Sequence, residues 1–160
     1  MKRKLLFIVG IVLFLDLLSK YLIFSLLDLN TKYSLVNNFF SIYPIENSGA
    51  AFSFFSNSNL FLISVSVIIL VYLCIYIYKQ EISLFNLVSY YLLIGGLLGN
   101  LFDRIVYHCV RDFISFRIFS YDFAIFNIAD IAIVMGVIFI IASSIFKEKR
   151  SWRYYVIALI

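Results

Sequence analysis

The sequence predicts a membrane all-α fold, a four-transmembrane-helix bundle with a small extracytoplasmic β-rich cradle, and three observations lead there. Of 160 residues, 64% are hydrophobic and 14% charged, against about a quarter charged in soluble globular domains. Four apolar stretches, at about residues 5–27, 60–78, 84–102 and 126–146, each approach the roughly 20 residues that a helix needs to cross about 30 Å of hydrocarbon. Two longer polar segments, about 28–59 and 103–125, separate them. The whole of 1–160 is therefore expected to form one integral membrane domain.

The first stretch follows Met1, Lys2, Arg3 and Lys4 and has the look of a signal peptide, but it continues to about Leu27 with no small-residue cleavage site. It is read as a retained span. Asp16 and Lys20 lie within it, four residues apart, so they share a helix face and can pair in the acid-before-base order that favours a helix. A charged side chain at that depth costs at least ~2.5 kcal/mol on insertion scales, which directs the pair toward the bundle interior or a wet cavity. Fixing helix packing would be reason enough for such a pair.

From Asp28 to Asn59 the chain turns polar, with six asparagines, its only proline (Pro44) and Gly49. Short apolar pieces at Tyr33 to Val36 and Phe39 to Tyr43 read as strands of a sheet at the membrane surface. In Glu46-Asn47-Ser48-Gly49-Ala50-Ala51-Phe52 small residues surround one amide and would let backbone approach a ligand; taken alone, the stretch is a turn.

The second span, Leu60 to Tyr78, has no charge and serves packing, and Lys79-Gln80-Glu81 makes a tight link. In the third span Gly95, Gly96 and Gly99 permit close helix approach, while Asn100, Asp103 and Arg104 crowd its far end. The link that follows carries His108, Arg111, Asp112, Arg117 and Asp122, with Phe113 to Arg117 alternating as an extended strand does. The fourth span stops at Lys147-Glu148-Lys149-Arg150. The tail from Ser151 to Ile160, with Trp152, Tyr154 and Tyr155, reads as interfacial.

The net charge of +4 carries topology and implies no nucleic-acid partner. Eight of the 13 basic residues (Lys2, Arg3, Lys4, Lys79, Lys147, Lys149, Arg150 and Arg153) fall on one side, and Lys32, Arg104, Arg111 and Arg117 on the other. Both termini are then cytoplasmic. The long polar segments become extracytoplasmic, and Asp130 lies just below the outer surface, level with Asn100 and Asp103. Cys74 and Cys109 fall toward opposite sides and are expected as free thiols.

Paired aspartates are the chemistry that is complete. Two carboxyl groups brought together cannot both ionise cheaply, so one holds a proton while the other acts as general base on water. Asp112 and Asp130 can meet in this way, although Asp130 could also do no more than cap a helix. His108 has no partner at zinc-ligand spacing, Ser48 and Ser115 lack a base and an elbow motif, and no phosphate loop is present; no metal or cofactor is expected. Two further classes stay open: a non-enzymatic proton or ion path built on Asp16, Lys20 and Asp130, and a phospholipid-headgroup enzyme.

Five blocks, taken together, resemble a known family. Asp16-Leu17-Leu18-Ser19-Lys20, Asn47-Ser48-Gly49-Ala50-Ala51-Phe52, Gly95-Gly96-Leu97-Leu98-Gly99-Asn100-Leu101-Phe102-Asp103-Arg104, Val110-Arg111-Asp112-Phe113-Ile114 and Phe126-Asn127-Ile128-Ala129-Asp130 are similar, in order, to the signature blocks of lipoprotein signal peptidase (signal peptidase II). Leu17 departs from the polar residue usual there. The resemblance implies an aspartyl endopeptidase of the bacterial plasma or inner membrane that removes the signal peptide from diacylglyceryl-modified prolipoproteins, on the amino side of the lipidated cysteine. It implies Asp112 and Asp130 as the catalytic pair, Asn47, Asn100, Arg104 and Asn127 as substrate-pocket residues, and Asp16, Lys20, Gly99 and Asp103 in support. Membrane lipid as surroundings, globomycin-like cyclic peptides as inhibitors and a monomeric state complete the expectation.

Overall fold

Residues 2–49, 58–119 and 121–158 are described by the computed structural model, and within them the apolar stretches form four helices. These are α1 (Phe7–Leu26), α2 (Asn59–Lys79), α3 (Leu84–Val106) and α4 (Ile128–Ala158), each with a segment long and apolar enough to span a membrane. Helix α4 does not stop at the basic cluster after Phe146 but continues to Ala158. Lys, Glu and Arg are good helix formers, so those charges end the apolar stretch and not the helix.

The distribution of polarity is the reverse of that in a water-soluble bundle. Helix α1 buries only Val12, Asp16 and Lys20, while Phe14, Tyr21 and Leu26 on it are more than 60% exposed. Hydrocarbon accepts those apolar faces, and the charged groups are kept from it. The chain is a multi-pass membrane protein.

Helix α3 is the central element, with buried residues along its whole length, and α1, α2 and α4 pack around it. Its glycines sit at the crossings. A Cβ at Gly95 would stand 2.7 Å from the Val12 Cβ of α1, and one at Gly96 would run into the Ala129 carbonyl oxygen and approach Ile133 Cγ1 at 2.8 Å. One at Gly99 would strike the Asp16 carboxylate. Gly96→Ala is therefore expected to force α3 and α4 apart and to cost about 1–3 kcal/mol, the usual penalty for overpacking. Thermal denaturation in detergent against wild type checks this; an unchanged midpoint would contradict the close crossing.

A four-stranded antiparallel sheet, in the order β1 (Tyr33–Val36), β2 (Phe40–Asn47), β3 (Val110–Ile118), β4 (Tyr121–Asp122), lies at the end of the bundle where α1 and α3 finish and α4 begins. Two expectations needed revision. Pro44 does not end the second strand: the register shifts between Ile42 and Ile45, so the residue without an N–H sits in a bulge, and β2 reaches Asn47. Asn47 is thus the last residue of a strand and also opens the expected turn, since the Gly49 N–H donates to Asn47 Oδ1 at 3.0 Å, while Ala50 to Phe52 of its motif fall outside the described residues. The link holding Asp112 is also more ordered than its alternating piece implied, because β3 starts at Val110 and is buried on both faces as far as Ser115.

At the opposite end, Lys2 Nζ donates to the carbonyls of Ile77 at 2.6 Å and Gln80 at 2.7 Å. A cation there satisfies carbonyls that the C-terminal turn of α2 leaves without helical partners. Cys74 is exposed and Cys109 buried, and both are free.

Candidate active site

The site is assembled by a pairing that no local sequence signal announces. Phe126, just before α4, receives the backbone N–H groups of Phe113 at 3.1 Å and Ile114 at 2.8 Å on its carbonyl and donates its own N–H to Ile114 at 3.1 Å. This clamps the start of α4 against the free edge of β3. Along β3 neighbouring side chains point to opposite faces, so Arg111 turns one way and Asp112 the other. Asp112 thereby meets Asn127.

Asn127 is the N-cap of α4, and it forms a reciprocal capping pair with Asp130. The Asp130 N–H donates to Asn127 Oδ1 at 2.9 Å, and the Asn127 N–H donates to Asp130 Oδ2 at 3.2 Å. So Asp130 does cap its helix, which was its simpler reading, and the cap is also what fixes it in place. Its other oxygen, Oδ1, accepts from Asn100 Nδ2 at 2.7 Å. Asp112 accepts from Asn127 Nδ2 at 2.6 Å and from Asn47 Nδ2 at 3.0 Å. Each carboxyl oxygen of the two aspartates therefore receives one N–H.

Asp112 is 2% exposed. Burial pushes its carboxyl up to about 7, with the negative charge of Asp130 adding to the rise and the amide donors of Asn47 and Asn127 opposing it. Near neutral pH the first proton taken up by the pair is therefore held readily.

Both aspartates line a cleft of about 520 Å³. Asn47, Asn100 and Arg104 share its polar wall, and Phe123, Phe126, Ile131, Val134 and Met135 make it otherwise apolar. Arg104 is held, among the described residues, by backbone carbonyls of Gly49 at 3.4 Å and Asn100 at 3.5 Å. These are long bonds for a guanidinium, which leaves donors directed at the cleft.

Behind the cleft is a sealed ionic cluster. Lys20 Nζ lies 2.7 Å from Asp16 Oδ2 and 3.1 Å from Asp103 Oδ2, and all three side chains are fully buried. Asp103 also accepts from Arg111 Nη2 at 2.8 Å, Arg111 Nε at 3.2 Å and the Arg111 backbone N–H at 3.0 Å. The Arg111 guanidinium stacks over the Tyr107 ring, 4.0 Å from its centroid. Asp16 Oδ1 takes the Ala129 N–H at 2.9 Å, one of the orphan donors in the first turn of α4. Gly99 leaves the room that the Asp16 carboxylate occupies.

The ten residues singled out from the sequence thus fall into two touching groups. Asn47, Asn100, Arg104, Asp112 and Asp130 line the cleft, with Asn127, expected in the pocket, fully buried beneath the two aspartates, and Asp16, Lys20, Gly99 and Asp103 stand behind it. Lys20 Nζ joins the groups by donating to Asn100 Oδ1 at 3.1 Å. Arg111 and the apolar cleft wall were missed. A charge within the buried run Val110 to Ile114 was the available signal for Arg111, and Val134, four residues after Asp130 on one helix face, was the signal for the wall.

Comparison with known proteins identifies the family. The family described as Signal peptidase (SPase) II matches residues 8–146. The chain is 36% identical over 141 residues to the lipoprotein signal peptidase of Staphylococcus haemolyticus, covering 88% of this chain and 89% of that one. It is 39% identical over 142 residues to that of Francisella tularensis subsp. novicida, covering 85% and 88%. A solved structure described as a bacterial membrane enzyme superposes with a TM-score of 0.86 at 34% identity, over 92% of this chain and 90% of the other. A second superposes with a TM-score of 0.80 at 35% identity, over 88% and 91%. By sequence over nearly its whole length and by fold, the chain belongs to the signal peptidase II family.

Proposed function

We propose that the chain is an aspartyl endopeptidase that removes the signal peptide from diacylglyceryl-modified prolipoproteins, cutting on the amino side of the lipidated cysteine, with Asp112 and Asp130 as its catalytic pair. The observation that carries this is the placement of both carboxyl groups, each held by amides, in one cleft whose other wall is apolar. Such a cleft suits a peptide that carries acyl chains beside its scissile bond.

The pair shares one proton at working pH, since burial and mutual repulsion disfavour two negative charges. The ionised carboxylate takes a proton from a water molecule, whose oxygen adds to the scissile carbonyl carbon. The protonated carboxyl group donates to the carbonyl oxygen as that oxygen gains negative charge. Collapse of the tetrahedral intermediate breaks the C–N bond, and the leaving nitrogen takes a proton from the pair. The products are a signal peptide with a new carboxylate and a lipidated cysteine with a free amine.

Asn47, Asn100 and Arg104, which line the cleft, orient the pair and the substrate backbone, and the buried Asn127 orients the pair. Asp16, Lys20, Asp103 and Arg111 neutralise one another without reaching the cleft, which supports a structural girdle over an ion path. The basic-residue pattern supports cytoplasmic termini and a cleft at the extracytoplasmic face. Globomycin-like cyclic peptides would occupy the same cleft.

The test is incubation of the purified chain with a synthetic diacylated peptide containing the cysteine cleavage motif, with products identified by mass. Cleavage solely before the lipidated cysteine is expected. Cleavage elsewhere, or none, would overturn the reading, and ion flux in proteoliposomes without proteolysis would favour the ion path.

A further inference from the structure

We propose that Lys20, which does not reach the cleft, is a positioning residue for the reaction: through Asn100 it biases the aspartate pair toward its singly ionised form. This deepens the reading of Asp112 and Asp130 as the catalytic pair and rests on it.

The direction of the relay follows from what each group can donate. An ammonium has no lone pair to accept with, so the Asn100 atom 3.1 Å from Lys20 Nζ is its oxygen. Asn127 Nδ2 donates to that same oxygen at 3.1 Å. The Asn100 amide is thereby turned so that its Nδ2 faces Asp130 Oδ1 at 2.7 Å. At the other end, the Asp130 backbone N–H can only donate, which fixes Asn127 Oδ1 and sends Asn127 Nδ2 to Asp112. Two donor-only groups thus orient two amides so that N–H points at both carboxyl groups.

Lys20 contributes more than orientation. A full positive charge on Asn100 Oδ1 polarises the amide and strengthens its N–H toward Asp130. An N–H donated to a carboxyl group favours the ionised form. The charges that face Lys20 are Asp16 on α1 and Asp103 on α3, the latter shared with Arg111 of β3. Those acting on Asp130 from the cleft side are Arg104 on α3 and Asp112 on β3. Two carboxylates beside one ammonium dampen the direct charge that Lys20 presents to both aspartates, and the relay through Asn100 at hydrogen-bond distance adds to it.

A purely structural Lys20 would lower activity equally at every pH. The relay predicts movement of the acid limb of the rate profile, where the second carboxyl group takes up its proton. The principal variant is Asp16→Asn with Lys20→Met, which removes the ion pair as a unit. The side-chain amide introduced at position 16 would still accept the Ala129 N–H, and Asp103 would keep Arg111. In detergent, with a diacylated cysteine-motif peptide, its acid limb is expected at a pH about one unit above wild type, roughly a tenfold loss on that limb. Asp16→Asn alone keeps Lys20 with less neutralisation, and its limb is expected to stay in place or move down. An acid limb in the double variant within about 0.3 unit of wild type, or an upward shift in Asp16→Asn alone, overturns the proposal. The second criterion still decides if the double variant does not fold. Retained cleavage by Asp112→Asn or Asp130→Asn would instead remove the aspartate pair itself, a separate result.

Discussion

Asp112→Asn and Asp130→Asn, each purified in detergent, are expected to lose cleavage of a diacylated cysteine-motif peptide by at least about a thousandfold, ~4 kcal/mol of transition-state stabilisation. An amide can neither take a proton from water nor supply one to the carbonyl oxygen, so either change removes one half of the acid–base pair. Cleavage within about tenfold of wild type by either variant would show that the reaction does not pass through that carboxyl group. Loss of folding is separated from loss of chemistry by the pH dependence of stability. The Asp112 carboxyl, ordinarily at 3.8, is raised to about 7 chiefly by burial. Between those values the folded chain holds a proton that the unfolded chain has lost, so stability falls as pH rises through the window. Asparagine has no such proton. Asp112→Asn should therefore lose less stability than wild type between about pH 5 and about pH 8, which thermal denaturation at the two pH values would show.

Asp103→Leu is expected to produce the largest loss of stability. Asp103 is fully buried and is the anion shared by Lys20 and Arg111, as well as the acceptor for the Arg111 backbone N–H. Truncating one partner of a buried pair typically costs about 3–5 kcal/mol, because the remaining charge is left without compensation. Here two cations are affected, and Lys20 retains Asp16 as its one carboxylate, beside its hydrogen bond to Asn100. At about 2–4 °C per kcal/mol for a chain of this size, a fall in melting temperature of roughly 10 °C or more in detergent is expected. A fall of only a few degrees would mean that Lys20 and Arg111 find other partners. Asp103→Asn, which keeps an acceptor for the Arg111 N–H, should be intermediate.

The helices were legible because a membrane span is written in one contiguous run: 20 residues of α1 and 21 of α2 declare themselves by length and apolarity. The Asp16/Lys20 pair was legible too, since helix periodicity alone sets its geometry. Asp112 and Asp130 could be nominated by chemistry, but their meeting could not be derived. It depends on Phe126 pairing with Ile114 across a link, and local pattern does not encode that register. The passage of β2 through Pro44 was hidden for a related reason, because the bulge that tolerates the proline exists only against β3. Asn127 showed only as a motif residue, while its place as the cap of α4 and its donation to Asp112 appear only in the structure. Arg111 was overlooked because its partner, Asp103, lies eight residues back across the turn at the end of α3.

The claim on which the rest depends is that two carboxyl groups sharing one proton perform the cleavage. The pH dependence of kcat/KM for wild-type chain on a diacylated cysteine-motif peptide addresses it directly, since it reports the ionisations of the free enzyme. With Asp112 raised to about 7, the rate should fall as pH rises through that value, because the pair loses its only proton, and fall again in acid as the second carboxyl group takes one up. A rate that holds level or climbs from about pH 7 to about pH 9 would contradict a shared proton and the account built on it.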